Sequence, residues 1–482
     1  MAGPAGPCAA KITSGYVVVN RSEQMRLAFI SFHSSPLAQP GEGDGGGMNV
    51  YVRALATSLA RSGLDCEVYT RASSAGLPPV HVVEPGLRVH HIEAGPPGPL
   101  ERGALADRSV VEHFSRGVLE RIGVAGSIPD VLYANYWLSG TVGRRIKEEL
   151  GIGLLTTFHT LAKVKGEDVP GRAIEEATIV DCSDLIVVPT LTEGAELSRL
   201  YGADAARVRV VAPGVDHAFF SPGDRRQARR AAGLDNGRPL VLFAGRLQPL
   251  KGPHLAIEAL RLLAAGDRLP RSPMGVAEAP SGADAGAGAE ASASCTAVPC
   301  DLAVIGGPSG ADGADYVKGM RILAAELERT GGGRVHFIPP VAHELLSTYY
   351  RAADVCVVPS RSESFGLVAL EAAACGTPVV ATDVGGLSEI VDGGSTGLLV
   401  GDGAAGDEGR FVESLAEALS AVIDDGELAS RMGAAAAWKA RRYTWRSAAA
   451  KLGALAAEVA SEGAGSVDET LATAGACRAC GR

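Results

Sequence analysis

Three short stretches carry residue types suited to handling a phosphorylated ligand. Gly245-Arg246-Leu-Gln-Pro-Leu-Lys251-Gly252 places a planar guanidinium fork and a mobile ammonium in one loop. That pairing suits a diphosphate whose charge grows as it leaves a transferred group, although a surface ion-pair network uses the same residues. In Pro359-Ser-Arg-Ser-Glu363-Ser-Phe365-Gly366-Leu367-Val-Ala-Leu-Glu371, Glu363 lies in a loop, and Glu371 stands about two turns along a helix that the pattern starts near Phe365. The two carboxylates can address different parts of an elongated ligand. Amides around Ser364 to Leu367 are candidate phosphate donors, with helix capping as the bland alternative. The third stretch, His33-Ser-Ser-Pro-Leu-Ala-Gln-Pro-Gly-Glu-Gly-Asp-Gly-Gly-Gly47-Met-Asn49, puts glycines before a helix start, where orphan N–H groups favour an anion. It fits neither Gly-x-Gly-x-x-Gly nor Gly-x4-Gly-Lys-Ser/Thr, so a structural glycine turn stays open.

Between these stretches Tyr136, His159 and Thr160 follow apolar runs and bring polar tips suited to a polyol, though each alone is more often a packing or capping residue. Thr382-Asp-Val-Gly385-Gly386-Leu-Ser-Glu389 either adds donors and acceptors or is a tight connection. Metal chemistry finds little support. Cys477-x-x-Cys480 has no second pair of that spacing nearby, and His336 and His343 lack a local ligand set, which favours structural hydrogen bonds for both.

Positioning such loops takes parallel sheets. Apolar runs at Arg26–Ser31, Val68–Thr70, Val131–Tyr133, Gly153–Phe158, Leu185–Val188 and Val208–Val211 read as buried strands, interleaved with helix-compatible segments such as Met48–Ser62 and Ser139–Glu149. A second alternation runs through Leu240–Ala244, Leu302–Ile305, Val335–Ile338, Val355–Val358 and Val379–Ala381. The chain therefore divides into a flexible N-terminal tail at 1–24, an α/β domain at 25–220 and a second at 221–437. An Ala/Gly/Ser/Pro-rich insert at 271–299, a crossover helix at 438–459 and a flexible tail at 460–482 complete it.

Composition narrows the class. A chain of 482 residues with 46% hydrophobic content can bury two large cores, and 45 Lys+Arg against 55 Asp+Glu argues against a basic nucleic-acid coat. Gly 62 and Pro 27 without a Gly-X-Y period exclude collagen and point to many loops. With no apolar run of about 18 residues and no secretory core, neither nucleic acid nor an integral membrane is an expected partner, and a cytoplasmic location is expected. The nine scattered cysteines read as reduced thiols.

The three stretches, in this order and separation, resemble those of retaining glycosyltransferases of the GT-B type, and among them the actinobacterial enzymes that glycosylate D-inositol 3-phosphate at the start of mycothiol synthesis. The resemblance covers most of residues 26–455 apart from the insert. It implies an α/β fold of GT-B architecture, with two Rossmann-like parallel-sheet domains facing an interdomain cleft. It further implies UDP-N-acetylglucosamine as donor substrate, bound by Gly47, Arg246, Lys251, Glu363, Phe365, Gly366, Leu367 and Glu371, with Arg246 and Lys251 against the diphosphate and Glu371 near the ribose. Inositol 3-phosphate as acceptor would meet His33, Asn49, Arg102, Tyr136, Thr160 and Arg172, while His159, Arg246, Lys251 and Glu363 form the implied catalytic set. Similar enzymes form homodimers, which is expected here, and can use or accommodate Mg2+, which stays conditional because the chain has no sharply spaced acidic metal-binding box and Arg246 and Lys251 can neutralise part of the phosphate charge. Three departures stand out: Arg102 replaces a usual lysine, Gly171-Arg-Ala-Ile-Glu175 replaces a more basic run, and His33-Ser34 replaces His-Thr. A related retaining transferase with another nucleotide sugar or acceptor, or a noncatalytic nucleotide-sugar-binding regulator, remain as alternatives.

Overall fold

Strands that are apolar at every position, rather than at alternate ones, need cover on both faces, and that requirement sets the architecture. The computed structural model describes residues 24–41, 45–98, 100, 102–126, 128–166, 171–265, 299–310, 312–401 and 407–476, together with 12–13 and 16–17. The expected insert at 271–299, Pro299 apart, and the Cys477/Cys480 pair lie outside the described residues. So does most of the tail at 1–24, of which β1 (Ile12–Thr13) and β2 (Tyr16–Val17) pair antiparallel.

The chain forms two units, one comprising Met1–Ala38, Gly47–Gly214 and Trp445–Arg482, the other Gln39–Gly46 and Val215–Thr444. In the first unit an eight-stranded sheet is built from β3 (Arg26–Ile30), β4 (Asp65–Arg71), β5 (Val80–Glu84), β6 (Leu87–Ile92), β7 (Val131–Asn135), β8 (Gly153–Thr157), β9 (Leu185–Val188) and β10 (Val208–Val210). Their spatial order is β10-β9-β8-β7-β3-β4-β6-β5, and only the edge strand β5 runs antiparallel to its neighbour. Helices cover both faces. Phe114, Leu138, Ile146 and Ile179 fill one side, while Leu55, Leu59, Leu452 and Val459 fill the other.

The second unit carries a six-stranded parallel sheet: β11 (Leu240–Ala244), β12 (Asp301–Ile305), β13 (Val335–Ile338), β14 (Val355–Val358), β15 (Val379–Thr382) and β16 (Gly397–Val400), in the order β13-β12-β11-β14-β15-β16. Each unit is thus a doubly wound α/β layer structure, whose ligand sites lie at the carboxyl ends of the strands.

Several elements differ from the sequence reading. Strands β5, β6 and β16 carry too few fully apolar positions to stand out; β5 in particular is half exposed. The helix Arg225–Ala232 carries a basic run that is partly tied to its own unit. Arg229 donates to Ala352 O at 2.9 Å and pairs with Asp354. The terminal region divides into the helices Gly426–Ala440 and Trp445–Ala476, so the long helix starts later and runs further than 438–459. Its Ala448, Ala449, Leu452, Ala456 and Val459 pack into the core of the first unit.

Candidate functional site

In the second unit, three loops at strand ends close on Glu363. Lys251 ends the single turn Pro249–Lys251 after β11, and its Nζ pairs with the Glu363 carboxylate from the loop after β14. Ser360 Oγ donates to the same oxygen at 3.4 Å. The first two loops approach so closely that a Cβ on Gly252, where φ is 67°, would lie 2.3 Å from Pro359 O, and Arg361 N–H donates to Leu250 O at 2.9 Å. The third loop follows β15. Gly386 N–H donates to Glu363 O at 3.0 Å, and a Cβ on Gly385, at φ 52°, would fall 1.9 Å from that carbonyl. The Gly385-Gly386 pair is therefore a close-approach element that fixes the Glu363 backbone. Arg246 lies beside Gly46, whose added Cβ would stand 3.4 Å from Arg246 Nε.

The helix expected from Phe365 begins at Leu367, because Gly366 takes a left-handed conformation at φ 96° just before it. Phe365 packs edge-on against Tyr443 at 6.0 Å between ring centroids. Glu371, only 5% exposed, has both carboxylate oxygens engaged: Tyr350 OH donates at 2.9 Å, and His343 Nε2 lies 2.6 Å from the other oxygen. Burial would depress the His343 pKa, but the adjoining carboxylate outweighs it and the net shift is upward.

In the first unit, candidate acceptor residues converge. The Arg172 side chain is fully buried and pairs with Glu176, Nε to Oε1 at 2.8 Å. Its Nη2 donates to Thr160 O at 2.8 Å and to Thr160 Oγ1 at 3.0 Å, and its guanidinium lies 5.1 Å from the Tyr136 ring centroid. His33 stacks obliquely on the other partner, Tyr136, at 4.5 Å. Asn49, 2% exposed, receives Ser34 Oγ at 2.8 Å and donates to Ser35 O. Arg102 opens the short helix Arg102–Leu105, and its side chain is outside the described residues. Gly47 is exposed and starts the helix Gly47–Arg61.

Two residues here adopt backbone that L side chains avoid. Tyr136, N-capping the helix Trp137–Leu150, has φ 81° and ψ 154°, and His159, just beyond β8, has φ 60°; among the described residues no other non-glycine has positive φ. Each costs about 1–3 kcal/mol, and such strain concentrates at ligand sites. His159 Nε2 lies 3.0 Å from Asn135 Oδ1 and packs against the edge of Tyr51 at 4.9 Å. Burial alone depresses its pKa to about 3.

The sequence motifs did not point to Glu176, Tyr201, Tyr350 or Asn135. Glu176 had a readable signal, four residues after Arg172 on one helix face. Tyr201, which donates to Glu176, and Tyr350 had none, since each reaches its partner across the fold. A surface groove lined by Glu112, Arg116, Glu120, Arg145 and Glu148 shares no residue with either cluster, so concavity alone does not mark the site. Among the described residues, no group of three or more His, Cys, Asp or Glu is placed to hold a metal ion, and no helix is long and apolar enough to cross a membrane.

Comparison with known proteins matches residues 46–214 to the glycosyl transferase 4-like domain and residues 296–438 to glycosyl transferases group 1. A D-inositol 3-phosphate glycosyltransferase from Gordonia bronchialis is 41% identical over 431 residues, covering 87% of this chain and 85% of that protein. One from Rhodococcus erythropolis is 40% identical over 88% of this chain and 89% of its own length. Among solved structures, sucrose-phosphate synthase from Thermosynechococcus elongatus aligns with a TM-score of 0.74 at 30% identity, over 90% of this chain and 99% of that one. An Anabaena protein solved with UDP and glucose aligns with a TM-score of 0.65 at 19% identity, over 90% of this chain, a likeness of fold.

Proposed function

The chain belongs to the D-inositol 3-phosphate glycosyltransferase family of GT-B enzymes, and from that premise we propose that it transfers N-acetylglucosamine, with retention, from UDP-N-acetylglucosamine to 1D-myo-inositol 3-phosphate, the first step of mycothiol biosynthesis. The observation that carries the reading is the Lys251–Glu363 pair, which joins two motifs 112 positions apart at the carboxyl ends of neighbouring parallel strands. Such strand ends are where doubly wound sheets bind nucleotides.

In this mechanism Arg246 and Lys251 hold the diphosphate and Glu363 orients the sugar hydroxyls. As the bond from the anomeric carbon to the phosphate oxygen breaks, an inositol hydroxyl bonds to that carbon on the same face, and its proton passes to the departing phosphate. The cationic side chains stabilise the charge growing on UDP. Glu371, held by Tyr350 and His343, is set to meet the ribose. On the acceptor side the strained Tyr136, with His33, Asn49 and Thr160, forms the polyol surface, and Arg172 acts through Thr160 and Tyr136. Arg246 and Lys251 meet the diphosphate charge, and a Mg2+ requirement is tested by assaying turnover with and without EDTA. The cytoplasmic location expected from the sequence and the homodimer expected from the resemblance belong to the same proposal, tested by fractionation and by sedimentation.

A coupled assay for UDP and glycoside, with both substrates and donor-only controls, tests the reading. Glycoside must appear with UDP only when inositol 3-phosphate is present. Efficient synthesis of another glycoside with no inositol-phosphate product overturns it. The 30% identity to sucrose-phosphate synthase favours, as a second reading, a retaining transferase with another sugar-phosphate acceptor. Product mass and anomeric NMR separate the two.

A further inference from the structure

The stretch Ala94-Gly-Pro-Pro-Gly98 has little of its own to hold it in place. Its two prolines lack an N–H, Gly95, Pro96 and Pro97 are exposed, and among the described residues no backbone hydrogen bond reaches it. One side chain ties it down. Arg71, 7% exposed at the carboxyl end of β4, donates from Nε to Ala94 O at 2.7 Å, from Nη1 to Gly98 O at 2.9 Å and from Nη2 to Pro96 O. Three carbonyls of one loop thus meet a planar fork, a geometry that a lysine ammonium does not copy.

We propose that Arg71 is a positioning residue for the acceptor: by clamping residues 94–98 it fixes where the chain delivers Arg102, and so sets the affinity for the phosphate of a phosphorylated polyol. The inference deepens the proposed transfer and rests on it for the identity of that polyol and for its contact with Arg102.

The surroundings fit such a clamp. Leu100 and Leu105 pack on the core around Phe114, so the backbone of Arg102, first residue of the helix Arg102–Leu105, is held between that core and the loop that Arg71 fixes. Arg71 also touches a second acceptor stretch through its backbone, since its N–H donates to Phe32 O at 3.1 Å, one residue before His33. Among the described residues no carboxylate pairs with the guanidinium, and burial alone lowers its pKa. Arginine keeps its charge even so, and the clamp therefore adds positive potential at the strand ends that receive an anionic ligand.

The test uses the full-length enzyme with UDP-N-acetylglucosamine and inositol 3-phosphate. Arg71→Met should raise KM for the acceptor about tenfold, with kcat and KM for the nucleotide sugar within about twofold. A merely structural role would instead lower kcat through a smaller folded fraction and leave both KM values alone. Arg71→Lys, which keeps the charge and one donor group, should show a smaller rise with the same split, and it serves as the folded variant if Arg71→Met fails to fold. Arg102→Met should raise the acceptor KM by itself, and adding Arg71→Met should raise it no further, because the clamp acts through Arg102. Hydrogen exchange in the peptide 94–106 should quicken in the Arg71 variants while that of the sheet stays at wild-type rates. An unchanged acceptor KM in the Arg71 variants, or losses that multiply in the double variant, overturns the proposal. A wild-type enzyme that makes no glycoside from inositol 3-phosphate sinks the transfer reading instead, and exchange in 94–106 then decides the clamp by itself, unchanged rates refuting it.

Discussion

Replacing Arg172 with methionine isolates what the buried ion pair contributes. Both partners are fully buried, so the substitution strands the Glu176 carboxylate without its cation. Breaking such a pair from one side costs about 3–5 kcal/mol. The lower half of that range applies here, because Glu176 keeps the Ala162 N–H at 3.0 Å and the Tyr201 hydroxyl. Loss of the two bonds from Nη2 to Thr160 O and Oγ1 adds about 1 kcal/mol each. The sum is about 5–6 kcal/mol, read as a fall in the urea midpoint at unchanged m-value. Arg172→Met/Glu176→Gln removes the stranded charge while its amide oxygen still accepts from Ala162 and Tyr201, and should recover about half the loss. Turnover of the surviving folded protein should show a raised KM for the acceptor and little change for the nucleotide sugar. A destabilisation below about 1 kcal/mol, or a double variant no better than the single one, would refute the reasoning that an uncompensated carboxylate dominates.

Gly385→Ala places a methyl 1.9 Å from Glu363 O in left-handed backbone, so the loop must shift and the Gly386 N–H to Glu363 O bond is lost. Isothermal titration should show donor binding weakened by about 2–3 kcal/mol, and wild-type affinity would rule out backbone anchoring of Glu363. Lys251→Met should cut kcat/KM about 100-fold or more while changing stability by less than about 1 kcal/mol, because its ion pair is partly exposed. Equal losses in both measurements would argue for a structural role alone. His343 has a raised folded-state pKa, so its protonated form stabilises the native protein relative to His343→Gln below its ordinary value of about 6.5. The stability difference should shrink as pH rises through the folded-state pKa, and a difference flat from pH 5 to 9 would remove the ion pair with Glu371 from the account.

By itself the sequence determined most of the strand runs of both sheets and the three loops that carry Arg246, Lys251, Glu363 and the glycines, because a fully apolar strand followed by glycine and charge is a local pattern. It also carried the family, through motif order. Tertiary structure decided which charges meet. Lys251 and Glu363 pair across 112 positions, Arg172 turns inward to Glu176 and Tyr201, and Glu371 is claimed by Tyr350 and His343 from an adjoining helix and turn. The strained φ values of Tyr136 and His159 and the Asn135 contact likewise depend on neighbouring strands. The helix Trp445–Ala476 joins the first unit for the same reason: its small and branched side chains suit many surfaces, and only the apolar stripe of Gly47–Arg61, folded beside it, selects one. Spacing along a chain fixes which residues share an element, whereas a buried charge finds its partner only where packing excludes water and leaves one donor within reach.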